Sequence, residues 1–338
     1  MIVTADDREG LLAAVLALQA GELIGLPTET VYGLAADAKN PLAVQKIFET
    51  KGRPSDHPLI VHVHDRVAAA QFATDIPEFA HALMRAFWPG PLTVILRRNP
   101  EVAAVAAAGQ DTIGLRCPSH PVAQALLALL AQSDTAGRTI TGLAAPSANL
   151  FGRVSPTQAA HVIDEFGDGL LVLDGGDCTV GIESTIVDCS RGQPILLRPG
   201  AITPEQLEAV CGMPVLTQRH ALQHLGQAPK ASGTLASHYA PSAKVKLLDR
   251  AAITAALEQR ALNAELMPVA IWCRTDPPPA AHGLLVQPMP DQADNVARQL
   301  FATLRGFDAL GVKEIWIEPV PAGNEWEGVR DRLIRAAH

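Results

Sequence analysis

Aromatic residues are scarce. Phe, Trp and Tyr make up 4% of the 338 residues, so any core must be built from Ala, Leu, Val and Ile. Cysteine is scarce and odd in number. The five cysteines, at 117, 178, 189, 211 and 273, include no CxxC spacing. This argues against both a disulfide framework and a thiolate zinc site, and it favours a reducing compartment, the cytoplasm. Long apolar runs are missing. The longest, over 11–18 and 125–131, are too short to span a bilayer. The first ten residues carry Asp6, Asp7 and Glu9 without a basic stretch, which is unlike a signal peptide. Cations are not in excess. There are 27 Lys and Arg against 35 Asp and Glu, a formal charge of −8. Tight sequence-independent nucleic-acid binding needs clustered positive charge, so direct nucleic-acid binding is expected to be weak or absent. The familiar nucleotide and hydrolase signatures are missing too: no GxxxxGK[ST], no GxGxxG after a strand, no GxSxG. No internal repeat is visible.

What is there alternates between helix and strand signals, the pattern of an α/β chain long enough for two cores. A helix is expected over 3–20 after a short strand, then strands over 22–26, 59–64 and 92–97. Asn40-Pro41 reads as an N-cap followed by Pro at the first helical position, with the helix running to Lys51 and ending on left-handed Gly52. Ser155-Pro156-Thr157-Gln158 and Thr203-Pro204-Glu205-Gln206 both read as capping boxes opening helices. Strands follow over 170–173, 184–187 and 195–198. Residues 218–242 lose all periodicity and read as an interdomain linker. The alternation restarts at 243. The expected division is 1–217, a linker over 218–242, and a small α/β domain over 243–338.

Five clusters carry polar chemistry. Pro27-Thr28-Glu29-Thr30 is a hydroxyl-rich turn at a strand end, where ligands are often held; its hydroxyls equally suit local backbone groups. Lys51-Gly52-Arg53 places two cations at a helix end. They either complement the helix dipole, at about 0.3–1 kcal/mol, or face one cavity and clamp a polyphosphate. His57, His62 and His64 follow. Ile60, His62 and His64 share one strand face and Leu59, Val61 and Val63 the other. No third metal ligand stands at a recognisable spacing, and no metal site is assigned. Arg116 lies in the apolar strand TIGLR and must meet an acidic partner or an anionic ligand. Ser147 and Asn149 stand among small residues in APSAN. Ser155 is placed to cap a helix, and Ser184 and Arg198 lie in GIEST and LRPG.

Together these strings are specific. LPTETVYGLAADA, KGRP with HPLIVHV, TIGLR, APSAN, GIESTIVD, LRPG and SGTLASHYAP occur in order. The chain closely resembles the YrdC-type threonylcarbamoyl-AMP synthase family in its two-domain form, strongly over 5–242 and more weakly beyond. The resemblance implies a YrdC-like twisted α/β domain around a large basic cavity, followed by a small Rossmann-like α/β domain. It implies synthesis of L-threonylcarbamoyladenylate and pyrophosphate from L-threonine, bicarbonate or CO2, and ATP with Mg²⁺. A separate tRNA threonylcarbamoyl transferase would consume the product. Residue by residue, it assigns Lys51 and Arg53 to catalysis. Arg53, His57, Thr112, Ser147, Asn149, Ser155, Arg198 and His238 go to ATP. Thr30, His62, Arg116, Ala145 and Ser184 go to threonine, with Arg116 on its carboxylate. The segment Ser232 to Pro241 resembles the family's interdomain segment, which can fold over the site as a lid; the alternative is an ordinary tether. His57 is a small departure, because many members have Asn there. Alternatives are a double-stranded RNA-binding or purely regulatory YrdC-like protein. A hydrogenase-maturation carbamoyltransferase is excluded by the cysteine spacing.

Overall fold

The computed structural model describes residues 1–4, 8–133, 139–218, 229–233, 235, 237–261, 267–274, 277–279 and 281–338. The chain forms two units. The first is Met1–Phe151 with Ser155–Thr234, and the second is Gly152–Val154 with Leu235–His338. Both are mixed α/β. Of the expected linker, 219–228, 234 and 236 lie outside the described residues.

Among the described residues, twelve strands of the first unit form one sheet. They are β1 (Ile2–Thr4), β2 (Ile24–Leu26), β3 (Gly33–Asp37), β4 (Ile60–His62), β5 (Ala73–Thr74), β6 (Leu92–Arg98), β7 (Thr112–Arg116), β8 (Leu143–Ala144), β9 (Leu171–Asp174), β10 (Thr185–Asp188), β11 (Ile195–Arg198) and β12 (Leu216–Thr217). The order is β1-β9-β2-β3-β8-β4-β7-β6-β10-β11-β12, with β5 paired to β6. The first helix begins at Arg8, not at Val3, because Val3 pairs with Leu173 in the edge strand. Strand β3 and the helix Pro121–Gln132 escaped the sequence reading.

Side chains alternate across a strand, so one register decides both faces. In β6, Leu92, Val94 and Leu96 join Ile113 and Leu115 of β7, Val61 of β4 and Val187 of β10 in the main core. Several helices pack on this side, whereas Arg8–Gln19 and Pro121–Gln132 pack on the other face of the sheet, against Ala35, Leu143 and Leu173. The helix Pro41–Lys51 buries Ala43, Val44, Ile47 and Phe48 there. Its ends are as expected: Asn40 accepts from the amides of Leu42 and Ala43, and Gly52 closes it at φ +58°. Thr203 makes the reciprocal capping box with Gln206. The box expected at Ser155 does not form. That helix starts at Ala159 with Gln158 at the cap and no side-chain cap bond, because the Ser155 hydroxyl donates instead to the buried Glu183 carboxylate at 2.5 Å.

The second unit carries a parallel sheet of β13 (Lys244–Leu247), β14 (Val269–Cys273), β15 (Leu284–Pro288) and β16 (Glu314–Ile317), in the order β13-β16-β14-β15. Parallel strands need crossovers. Helices Arg250–Ala261 and Ala293–Ala309 supply two of them. The carboxylate of Asp308 accepts from the amides of Ser242 and Ala243 and so anchors the entry to β13. Among the described residues, no helix is long and apolar enough to cross a membrane.

Leu115 is fully buried between Val61 and Val94 in the sheet centre. Leu115→Ala is expected to destabilise the first unit by about 2–5 kcal/mol, read as a lower denaturant midpoint at unchanged slope.

Candidate active site

The face of the sheet opposite the main core is polar where it should be greasy. Register pairing lines up Arg198 of β11, Ile186 of β10, Thr93 of β6, Arg116 of β7 and His62 of β4. A second row runs Ile95, Gly114, Ile60, and a third pairs Arg97 with Thr112. Gly114 keeps the floor low. A methyl group there would touch Thr93 Cγ2 at 3.5 Å and Ile60 Cγ1 at 3.6 Å. Thr93 was missed in the sequence. Its signal is a lone hydroxyl, fully buried, inside LTVIL.

Arg116, 4% exposed, is held from three sides. Its Nη2 pairs with Glu29 Oε1 at 2.7 Å. Its Nη1 donates to Thr30 Oγ1 at 2.7 Å, and its Nε to the Gly90 carbonyl at 3.3 Å. The donor order beyond Thr30 is fixed. Thr28 gives its proton to the Val31 carbonyl, so Thr30 must donate to Thr28 Oγ1. Glu29 is therefore the acidic partner that the sequence demanded for Arg116 but did not name. Burial pushes the Glu29 carboxyl up, but the Arg116 charge and hydrogen bonds outweigh it and hold it below its ordinary value. His62, 4% exposed, lies beside Arg116. Burial, and then the Arg116 charge, depress its pKa to about 3, so the imidazole is neutral. Ala145 donates its amide to the Ile60 carbonyl and so holds its loop to β4.

Ser184, Thr93 and Arg198 make a second node. Arg198 Nη2 donates to Ser184 Oγ at 3.1 Å and its Nε to the Ser184 carbonyl at 3.0 Å. Ser184 Oγ lies 2.7 Å from Thr93 Oγ1. Arg198 Nη1 reaches the Ser232 carbonyl at 3.0 Å. The same serine receives Arg53 Nη2 on its hydroxyl at 3.3 Å, while Arg53 also donates to the Pro58 carbonyl. Ser232 thus ties two buried guanidinium groups together. Ala231 packs among Ile95, Ile186, Ile195 and Leu197. The cavity left beneath 230–232 is only about 20 Å³, room for about one water. His57 lies edge-on to Phe151 at 5.6 Å, and burial and then Arg53 lower its pKa.

Lys51 is not the exposed helix-end cation that one of its two sequence readings allowed. It is 2% exposed, and its ammonium donates to the carbonyls of Ser147, at 2.6 Å, and Asn149. The Phe151 amide returns a bond to the Lys51 carbonyl at 2.9 Å. Lys51 therefore staples the APSAN loop to the helix end. Burial, followed by repulsion from Arg53, lowers its pKa well below the ordinary value. Asn149 donates to the Leu150 carbonyl. His238 belongs to the second unit, with its ring 4.1 Å from that of Tyr239. Among the described residues, no three His, Cys, Asp or Glu side chains converge as a metal site requires.

His62 makes the fold sensitive to acid. Its folded pKa of about 3 lies below its ordinary 6.5, so the unfolded chain takes up the proton first as pH falls. Stability is complete above about pH 6.5 and is lost toward pH 3, with a slope approaching about 1.4 kcal/mol per pH unit. Denaturation midpoints between pH 7 and 5 should show this fall, and His62→Asn should flatten it.

The chain resembles known proteins along its whole length. A family model described as telomere recombination, that of the Sua5, YciO and YrdC proteins, matches residues 16–200. A second, described as threonylcarbamoyl-AMP synthase, C-terminal domain, matches 202–338. The threonylcarbamoyl-AMP synthase of Bacillus subtilis is 37% identical over 99% of this chain and 94% of its own. That of Pyrococcus abyssi is 36% identical over 95% and 92%. A crystal structure of P. abyssi Sua5 complexed with L-threonine superposes with a TM-score of 0.86 at 34% identity, covering 100% of this chain and 97% of that one. With both parts matched, the chain belongs to the threonylcarbamoyl-AMP synthase family, in its two-domain form.

Proposed function

We propose that the chain makes L-threonylcarbamoyladenylate and pyrophosphate from L-threonine, bicarbonate or CO2, and ATP, on the polar face of the first unit. The observation that carries this reading is the row Arg198, Ile186, Thr93, Arg116, His62, with Arg53 and Arg198 meeting at Ser232. On this reading Arg116 serves as the carboxylate receptor, and Arg53 and Arg198 serve as the two phosphate-binding guanidinium groups. Mg²⁺ enters with ATP as part of that substrate.

Arg116, with Thr30, His62, Ser184 and the Ala145 backbone around it, takes threonine by its carboxylate. The amine adds to CO2, forming an N–C bond and releasing one proton, to give a carbamate. A carbamate oxygen then attacks the α-phosphorus, the bond to the β-phosphate oxygen breaks, and pyrophosphate leaves. No covalent protein nucleophile is needed. Negative charge builds on the phosphate oxygens, and fixed cations stabilise it without reorganising. Arg53 and Arg198 supply that charge, with His57, Thr112, Asn149 and Ser155 around the nucleotide. Lys51 holds Ser147 and Asn149 in place and has a third N–H to offer a phosphate. The Ser232 segment leaves the two arginines when ATP enters and then shields the labile carbamate from water. The adenylate passes to a tRNA-modifying transferase in the cytoplasm.

Incubation with ATP, Mg²⁺, threonine and labelled bicarbonate should yield the labelled adenylate by mass, with pyrophosphate appearing only when both threonine and bicarbonate are present. Release of ADP and phosphate instead would overturn the adenylate chemistry. Arg53→Ala should slow turnover by roughly 10²–10³. Lys51→Ala should slow it and also lower the melting temperature, since it leaves two carbonyls without their donor.

A further inference from the structure

We propose that Glu29 is a positioning residue for the amino-acid substrate, acting through Arg116. The inference rests on the reading of Arg116 as the threonine carboxylate receptor and goes beyond it.

The guanidinium has five N–H groups. Thr30 takes one N–H from Nη1 and Gly90 the one on Nε, and Glu29 Oε1 lies 2.7 Å from Nη2 as its ion-pair partner. By count, one N–H remains on each terminal nitrogen, the number a bidentate carboxylate needs. A flexible arginine would lose that pairing to rotamer freedom. Here the carboxylate of Glu29, the Thr30 hydroxyl and a backbone carbonyl fix the plane before substrate arrives. Glu29 is itself fixed. Its backbone carbonyl accepts from the Val180 amide at 2.7 Å, and its side chain is 6% exposed. Ionised Glu29 also cancels the Arg116 charge, so the empty pocket is neutral. A neutral pair suits a zwitterion, whose net charge is also zero. A lone buried cation would favour a simple anion instead. The nucleotide end, at Arg53 and Arg198, shares no hydrogen bond in the structure with Glu29.

Glu29→Gln keeps the shape and removes the charge. Threonine KM should rise roughly 10- to 100-fold, while ATP KM stays within about threefold of wild type. Glu29→Asp restores the charge one methylene short and should recover part of the loss. On an Arg116→Met background, Glu29→Gln should add no further rise in threonine KM, because the residue acts through the arginine. Threonine amide, which lacks the carboxylate, should bind wild type and Glu29→Gln alike in calorimetry. Equal rises in threonine and ATP KM, full additivity with Arg116→Met, or unchanged threonine KM in Glu29→Gln would each overturn the proposal. Wild-type protein that makes the adenylate while Glu29→Gln matches it removes only this inference. Wild-type protein that neither makes the adenylate nor binds threonine removes the parent reading as well.

Discussion

A guanidinium taken out of water must be met by acceptors on every side, and the first unit is arranged around three of them. Arg53, Arg116 and Arg198 are each less than 9% exposed. The penalty for leaving any of them unmatched is several kcal/mol. Their partners come from distant parts of the chain: Glu29 and Thr30 for Arg116, Ser184 for Arg198, Pro58 for Arg53, and Ser232 for two of them. The polar face therefore ties distant loops to strands whose other face builds the main core. The apolar face of the same strands does the ordinary work of folding. The chain's net negative charge is no obstacle to an anionic substrate, because Arg116 and Arg198 stand in one row of the sheet and Arg53 meets Arg198 at Ser232.

The acceptors differ in kind, and the difference separates the two ends of the site. Arg116 faces a full carboxylate. The hydrogen bonds described above for Arg53 and Arg198 go to neutral oxygens, the carbonyls of Pro58, Ser184 and Ser232 and two serine hydroxyls. Neutral acceptors are easily exchanged for phosphate oxygens, which bind a guanidinium about twice as strongly. The end with a permanent counter-ion suits a zwitterionic amino acid. The end with provisional acceptors suits a polyphosphate that arrives and departs. Ser232 has the chemistry of a stand-in: a hydroxyl and a carbonyl where a charged ligand would sit.

Much of this was legible in the sequence where the signal was local. Asn40, Pro41 and Gly52 bound a helix by rules that need only neighbours. The alternation that sends Leu59, Val61 and Val63 inward and His62 to the other face needs only a period of two. What was not legible depended on residues far away. Lys51 reads as a helix-end cation until the loop at Ser147 and Asn149, about a hundred positions on, closes over it. Ser155 has every local feature of a cap, yet Glu183 outcompetes the helix for its hydroxyl. Glu29 was hidden among threonines in a turn whose hydroxyls attract the eye first. Thr93 is a single hydroxyl in an apolar strand and acquires meaning only when register sets it between Ile186 and Arg116.

The central claim is that buried arginines hold protein oxygens when empty and exchange them for substrate oxygens when loaded. A crystal structure with threonine and a non-hydrolysable ATP analogue tests it most directly. The account predicts phosphate oxygens within about 3 Å of Arg53 and Arg198 nitrogens, Ser232 displaced from both, and the threonine carboxylate on Arg116 with Glu29 still in place. A nucleotide bound elsewhere, with Ser232 still joined to Arg53 and Arg198, would contradict it.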